Sequence, residues 1–396
     1  MSITQRAEQG VRPLPPGAYY SAKLLGVMLY NKLSFRKHVE LAQKRSTKAV
    51  LALSRIAALP THICGDYSSL AVPRMDYALP VWYMSVSSNE HTRRAGTVWI
   101  AKTIGKVQRH AARLIIGALR TTATDVLDFH ANLLPVHIRL NRSAFNAGVR
   151  LASLPLSNPI RGIMHRCHRV PRYRRLTIHH LLAAFPVLRC DFETIDPLVL
   201  TARPPENALT GQIAASKELH EGNGGSCAQR RTLHLHGWLE GGVGTAAVAM
   251  RGNDVKAHRV LHLGSLEEHT VFESEVVGAI LALDIISGTP PSITAISSTP
   301  KAQPAQHFIA AFHAAHRYLL RTRSTLRIRL HWVPAHIDIA GNEAVDARAK
   351  EATLGAYSPL TTRYKTLETP LPISKSAALA AGSAAFKERW NTEWKA

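Results

Sequence analysis

Residues 331–350, HWVPAHIDIAGNEAVDARAK, constrain this chain more than any other stretch. A β-type run, 326–333, leads into a polar turn through Pro334, Ala335, His336, Ile337 and Asp338, and the chain then reaches Gly341-Asn342-Glu343. A short helical run follows, with apolar Ala344, Val345, Ala347 and Ala349. Asn342 reads as its N-cap, and Glu343 falls in the first turn, where the helix dipole favours an acid. Asp346 then projects from the first full turn. This layout sets an imidazole on a loop, His336, near a carboxylate on a rigid element. Metal-dependent phosphodiester hydrolysis uses such a pair: the carboxylate holds a hard divalent cation and the imidazole helps protons or products move.

These residues resemble the last strand, His loop and last helix of type 1 ribonuclease H domains, as carried at the C-terminal end of non-LTR retrotransposon polyproteins. Trp332, Pro334, His336, Ile339, Gly341, Asn342, Glu343, Asp346, Ala349 and Lys350 match the family pattern. Ala335 and Asp338 stand where the family usually has Gly.

Charge separates the chain into two halves. The net charge is +22 over 396 residues. Residues 1–190 carry 28 Lys and Arg against 7 Asp and Glu, and the remainder 21 against 20. The basic half is therefore the electrostatic partner for a polyanion, most simply a nucleic acid, although a basic surface also serves solubility. Four scattered cysteines (Cys64, Cys167, Cys190, Cys227) have neither metal-type pairing nor disulfide-framework density, which points to a reducing compartment. No run of about 18 apolar residues exists, and the start MSITQRAEQG has no signal-peptide core. The expectation is a soluble intracellular protein, nuclear or cytoplasmic, with no membrane partner and no predicted oligomeric state.

Residues 1–18 read as a Pro-rich tail, 21–30 as an apolar strand and 36–58 as a basic amphipathic helix. A further helix is expected over 66–83, interrupted at Pro73, and another over 99–119. On the last, Lys102, Lys106, Arg109 and Arg113 recur every three or four residues beside an apolar stripe, a pattern that suits phosphate contact or an ordinary solvated face. KLLGVMLYNKLSFRKHV at 23–39, DYALPVWY at 76–83, VQRHAARLIIGALRTT at 107–122 and LLPV at 133–136 are similar to the segment that follows the reverse transcriptase palm in the same retroelements. The polymerase's paired aspartates are missing, so no polymerase activity is expected, and the chain reads as beginning downstream of that centre. Residues 159–189 are dense in Arg and His; His165, Cys167 and His168 lack a second ligand pair at finger-like spacing, so a basic linker that touches phosphates is expected there, with Tyr173 available to stack.

From about Arg231 the pattern predicts strands at 232–237, 245–250 and 256–263, a helix at 270–286, a strand at 292–298, a helix at 303–321 and a strand at 325–333. The expected fold class is α/β. A ribonuclease H-like mixed five-stranded sheet with flanking helices is preceded by a mainly α-helical basic segment. The expected domains are a tail at 1–18, a helical post-polymerase segment at 19–158, a basic linker at 159–228, the ribonuclease H-like domain at 229–356 and a C-terminal extension at 357–396.

The resemblance implies an RNA–DNA hybrid endonuclease that holds two Mg²⁺ about 3.5–4 Å apart. Glu275, in TVFESE, matches the first-helix acid; Asp346 matches the last-helix acid and His336 the loop histidine. The other two acidic positions are degenerate. His236 stands where the first strand ends in Asp, and Ser298 where the fourth strand does. Two carboxylates plus an imidazole remain. Mg²⁺ prefers oxygen and dehydrates reluctantly, so Mg²⁺ (or Mn²⁺) is expected to be weakly bound or lost and cleavage impaired. The neighbouring acids Glu240, Glu273 and Asp338 sit at positions that do not point into the same site. A softer-metal site of His236, Glu275 and Asp346, or no catalysis at all, are the alternatives. Lys102, Lys106, Arg109, Arg113 and Asn342 are the expected nucleic-acid contacts. The two readings are an impaired ribonuclease H-type hydrolase and a non-catalytic nucleic-acid-binding remnant of a retrotransposon polyprotein.

Overall fold

Two residues with positive φ set the first element. Leu25 (φ 46°) and Gly26 (φ 84°) form a two-residue turn that closes β1 (Ser21–Leu24) onto β2 (Val27–Tyr30) as an antiparallel hairpin, where a single strand is expected from sequence. Positive φ at both central residues matches the twist of the flanking strands. The computed structural model describes residues 21–30, 35–56, 65–86, 96–169, 177–196, 211–213, 231–239, 241–288, 303–322, 330–332, 340–359, 365–368 and 370–395. The chain divides into a first unit, 1–144 with 389–396, and a second, 145–388.

In the first unit, helix Val98–Ile116 buries Ile100, Ile104, Val107, Ala111, Ala112 and Ile115. That spacing is the one-sided stripe of a 3.6-residue period. The helix stops at Gly117, whose φ of 65° places it in the left-handed region, and its N–H donates to the Arg113 carbonyl. Helix Arg36–Ile56 lies where the amphipathic pattern predicts. The helix expected over 66–83 breaks elsewhere. Pro73 follows directly on a π-helical turn, Tyr67–Ala71, and lies in the first turn of a short helix, Val72–Met75. The interruption falls at 76–78, with Ala78 at φ 53°, before a second short helix, Leu79–Trp82.

The second unit contains a three-stranded antiparallel meander, β4 (Arg231–Leu239), β5 (Val243–Arg251) and β6 (Asp254–Gly264). The central strand alternates faces. Val243, Ala247 and Ala249 join a core with helices Val271–Gly288 and Gln306–Thr322, while Ala246, Val248 and Met250 meet Val345, Ala349 and Ala352 of helix Ala340–Thr353. The sheet is thus covered by helices on both sides. Helix Val271–Gly288 is apolar nearly all round because it lies between the sheet and helix Gln306–Thr322, where Phe308 and Phe312 cover it. Gly244 permits the opposite face to close: a Cβ there would stand 2.6 Å from the Ala349 carbonyl oxygen and the Thr353 nitrogen. Ser358 joins the free edge of β6, its N–H donating to the Val260 carbonyl at 2.9 Å and its hydroxyl accepting from the Val260 N–H at 3.0 Å.

The architecture is mixed α/β. Of the two further strands expected, 292–298 lies outside the described residues. From 325–333, β7 (Leu330–Trp332) is described, paired in parallel with β3 (Gly211–Ile213), a stretch that reads as connector in the sequence. Helices Pro159–Arg169 and Thr177–Ala184 occupy the expected linker, with Leu181, Leu182 and Leu188 buried. Part of the expected C-terminal extension is helix Lys375–Lys395, whose Phe386 meets Phe145 and Phe185 edge-on at centroid separations of 6.0 and 6.1 Å.

Candidate active site

Glu275 rides the first turns of helix Val271–Gly288, and local chemistry fixes that helix start. Thr270 and Glu273 form a reciprocal cap: the Glu273 carboxylate accepts from the Thr270 N–H at 2.8 Å, and the Thr270 hydroxyl accepts from the Glu273 N–H at 3.3 Å. The Thr245 hydroxyl of β5 then donates to the Ser274 carbonyl at 2.8 Å, tying the sheet to the residue before Glu275. Glu275 itself is half-buried. The cap T-x-x-E is a signal the sequence carries in plain form, and it explains why Glu273 is no substitute ligand. Its side chain is wholly buried at its own helix terminus.

Asp346 lies on helix Ala340–Thr353, against the other face of the same sheet, and is also half-buried. The helix begins at Ala340, so Asn342 is its third residue rather than its N-cap, and Asp346 sits nearly two turns in. Glu275, Asn342 and Asp346 each interact with neighbours, so none is an isolated polar group. The backbone of His236 pairs with Ala246 in the β4–β5 register. His336 and Ser298 fall outside the described residues, as do Asp338 and Glu240. Among the described residues no three His, Cys, Asp or Glu side chains converge as a metal site. Of the positions the resemblance names, only Glu275 and Asp346 offer carboxylates, and two carboxylates are too few oxygen donors for a pair of Mg²⁺.

The expected cationic stripe faces solvent only in part. Lys102 and Lys106 are exposed. Arg109 is engaged inside the fold: its guanidinium donates to the Thr124 hydroxyl at 2.6 Å and to the carbonyls of Arg120 and Thr122 at 3.0 and 2.7 Å, closing the turn after the helix. Arg113 is half-buried, with its Nε enclosed and lacking a hydrogen-bond partner. Two of the four cations are therefore drawn into the protein.

The motif residues of the basic half belong to one buried polar network that no local signal reveals. Gln108 uses its full amide capacity. Its oxygen accepts from the Tyr67 hydroxyl and from Arg139 Nε, both at 3.3 Å, and its NH₂ donates to Asp128 at 3.0 Å and to the Leu134 carbonyl at 2.8 Å. Arg139 Nη1 reaches both oxygens of Asp76 at 2.7 Å, and the Ser143 hydroxyl adds a third hydrogen bond at 3.0 Å. Burial pushes the Asp128 carboxyl up to about 6, partly offset by its bond from Gln108 and by the Arg139 charge. Tyr83 donates to Asn141 at 2.8 Å. DYALPVWY, VQR and LLPV thus meet through side chains distant in sequence.

Compared with known proteins, the chain matches no family model, no curated protein and no solved structure. Among the described residues no helix is long and apolar enough to cross a membrane.

Proposed function

We propose that this chain is a retroelement-derived nucleic-acid-binding protein whose second unit carries a ribonuclease H-like arrangement, five-stranded in its full form, with an impaired hydrolytic centre. The observation that carries the reading is that Glu275 and Asp346, in matched motifs, lie on two helices packed on opposite faces of one three-stranded meander. The described element order from β4 to helix Ala340–Thr353, with 292–298 outside the described residues, supports it. So does the excess of 21 positive charges in residues 1–190, from 28 Lys and Arg against 7 Asp and Glu. The substrate class is an RNA–DNA hybrid or RNA, read through phosphate and 2′-hydroxyl contacts and so by shape rather than sequence.

A specific observation favours the non-catalytic form of this reading. Two acids near the meander are already engaged: Glu273 caps its helix, and Asp284 accepts from Arg259 Nε at 2.9 Å. Binding without turnover is the function proposed. Fluorescence anisotropy of a labelled hybrid tests it. The affinity should fall by several powers of ten between roughly 50 and 200 mM salt if six or more phosphates are contacted, with little change when the sequence is scrambled. A salt-independent affinity would contradict the proposal.

A further inference from the structure

A pocket of about 350 Å³ opens in the first unit between the β1–β2 hairpin, helix Arg36–Ile56 and the short helix Val72–Met75. That volume lies at the low end of small-ligand sites, about 300–1,000 Å³. Its charged lining residues are Lys23, Arg45 and Arg74, with no carboxylate among them. None of the three forms a hydrogen bond or ion pair with any described residue, and all are exposed. Like charges gathered around one pocket repel one another, and an anion held between them relieves that repulsion.

The walls are fixed by contacts that leave those cations untouched. The Tyr77 hydroxyl donates to the Leu25 carbonyl at 2.8 Å, and the Trp82 indole donates to the Tyr77 carbonyl at 2.8 Å. Gly26 lets the turn approach closely: a Cβ there would stand 3.0 Å from the Tyr77 ring, at a φ of 84°. His38 Nδ1 accepts from the Met28 N–H at 3.3 Å, and burial lowers the pKa of that imidazole, so it serves as a neutral wall joining the hairpin to the helix. Leu41, Ala42 and Pro73 supply an apolar side, and the Tyr77 ring is half exposed at 52%.

From this juxtaposition we infer that the first unit holds a binding site for a mononucleotide-sized phosphate ester, with Lys23, Arg45 and Arg74 on the phosphate and the Leu41, Pro73 and Tyr77 side against the sugar and base. Guanidinium forks match phosphate oxygens, and an aromatic or aliphatic wall takes the flat face of any base. The ligand is either a free nucleotide or the 5′-phosphorylated end of a strand. The inference stands on the pocket and does not need the ribonuclease H-like reading of the second unit.

Isothermal titration of the full chain tests it with three probes: adenosine 5′-monophosphate, inorganic phosphate, and a short single-stranded oligonucleotide with and without a 5′-phosphate. The monophosphate should bind more tightly than inorganic phosphate. The double variant Arg45→Ala, Arg74→Ala, whose sites are exposed and whose fold is checked by circular dichroism, should weaken it roughly tenfold or more. Preference for the phosphorylated oligonucleotide assigns the site to a strand end, and equal binding of both oligonucleotides assigns it to a free nucleotide. Hybrid binding by the double variant is read separately, so failure of this site is distinct from failure of the proposed function. Binding of the monophosphate no tighter than phosphate, or unchanged in the double variant, would overturn the inference.

Discussion

At the scale of single residues, two ionisable groups withdrawn from solvent respond to acid in opposite senses. Asp128, 4% exposed, has its carboxyl raised from 3.8 to about 6, chiefly by burial. A raised folded-state pKa means that the native state holds the proton more tightly. Its contribution is therefore fully present below pH 3.8 and is lost as pH rises through about 6. His307 is the reverse case: burial lowers it from 6.5 to about 4, against the nearby Glu273 charge, which raises it. Its contribution is present above pH 6.5 and disappears as pH falls through about 4. Asp128→Asn keeps the acceptor for Gln108 and is expected to stabilise the first unit at neutral pH by on the order of 1–3 kcal/mol. It should also flatten the stability–pH profile between about 4 and 6. His307→Gln should reduce the acid sensitivity of the second unit over the same range. Thermal unfolding as a function of pH, followed by exchange of backbone amides in each unit, measures both.

Two devices at the scale of elements hold the second unit together. Glu193 is 1% exposed and serves two helix starts at once, accepting from the Ala305 N–H at 2.6 Å and the Lys375 N–H at 2.7 Å. Removing one such cap typically costs about 1 kcal/mol, so Glu193→Ala should cost about 2–4 kcal/mol, with the orphaned donors buried. Chemical denaturation of the two proteins reads that difference. Gly244→Ala places a methyl against the backbone of helix Ala340–Thr353 and should destabilise by about 1–3 kcal/mol, whereas Gly162→Ala, within helix Pro159–Arg169 and with only the Arg166 guanidinium near its Cβ position, should cost less. The sequence makes much of this layer legible, because period and turn chemistry are local. The meander, helices Val98–Ile116 and Val271–Gly288, and the glycine turns are readable one segment at a time. What sequence does not disclose is which distant group satisfies a polar side chain. Gln108 and Arg139 look like the polar face of ordinary helices until Asp76, Asp128 and Leu134 meet them. Arg109 illustrates the same limit for the site, since its spacing suggests a phosphate contact while the turn at 120–124 claims it.

For the molecule as a whole, the charge imbalance and the residues at 236 and 298 support the proposed function, a protein that holds nucleic acid without cutting it. In the proposed function the basic half supplies attraction that needs no base contacts, so hybrid affinity should depend steeply on salt and weakly on sequence. The hydrolytic side depends on His236 and Ser298, which stand where the resemblance calls for aspartates. Restoring both, as His236→Asp with Ser298→Asp, should recover some Mg²⁺-dependent cleavage if the surrounding geometry is otherwise intact. The most direct measurement follows the fate of a labelled RNA–DNA hybrid incubated with Mg²⁺ and saturating full-length protein, beside the Glu275→Gln variant. The account predicts that both proteins retain the hybrid and leave its RNA strand uncut. Cleavage by the unaltered protein that vanishes in Glu275→Gln would contradict it.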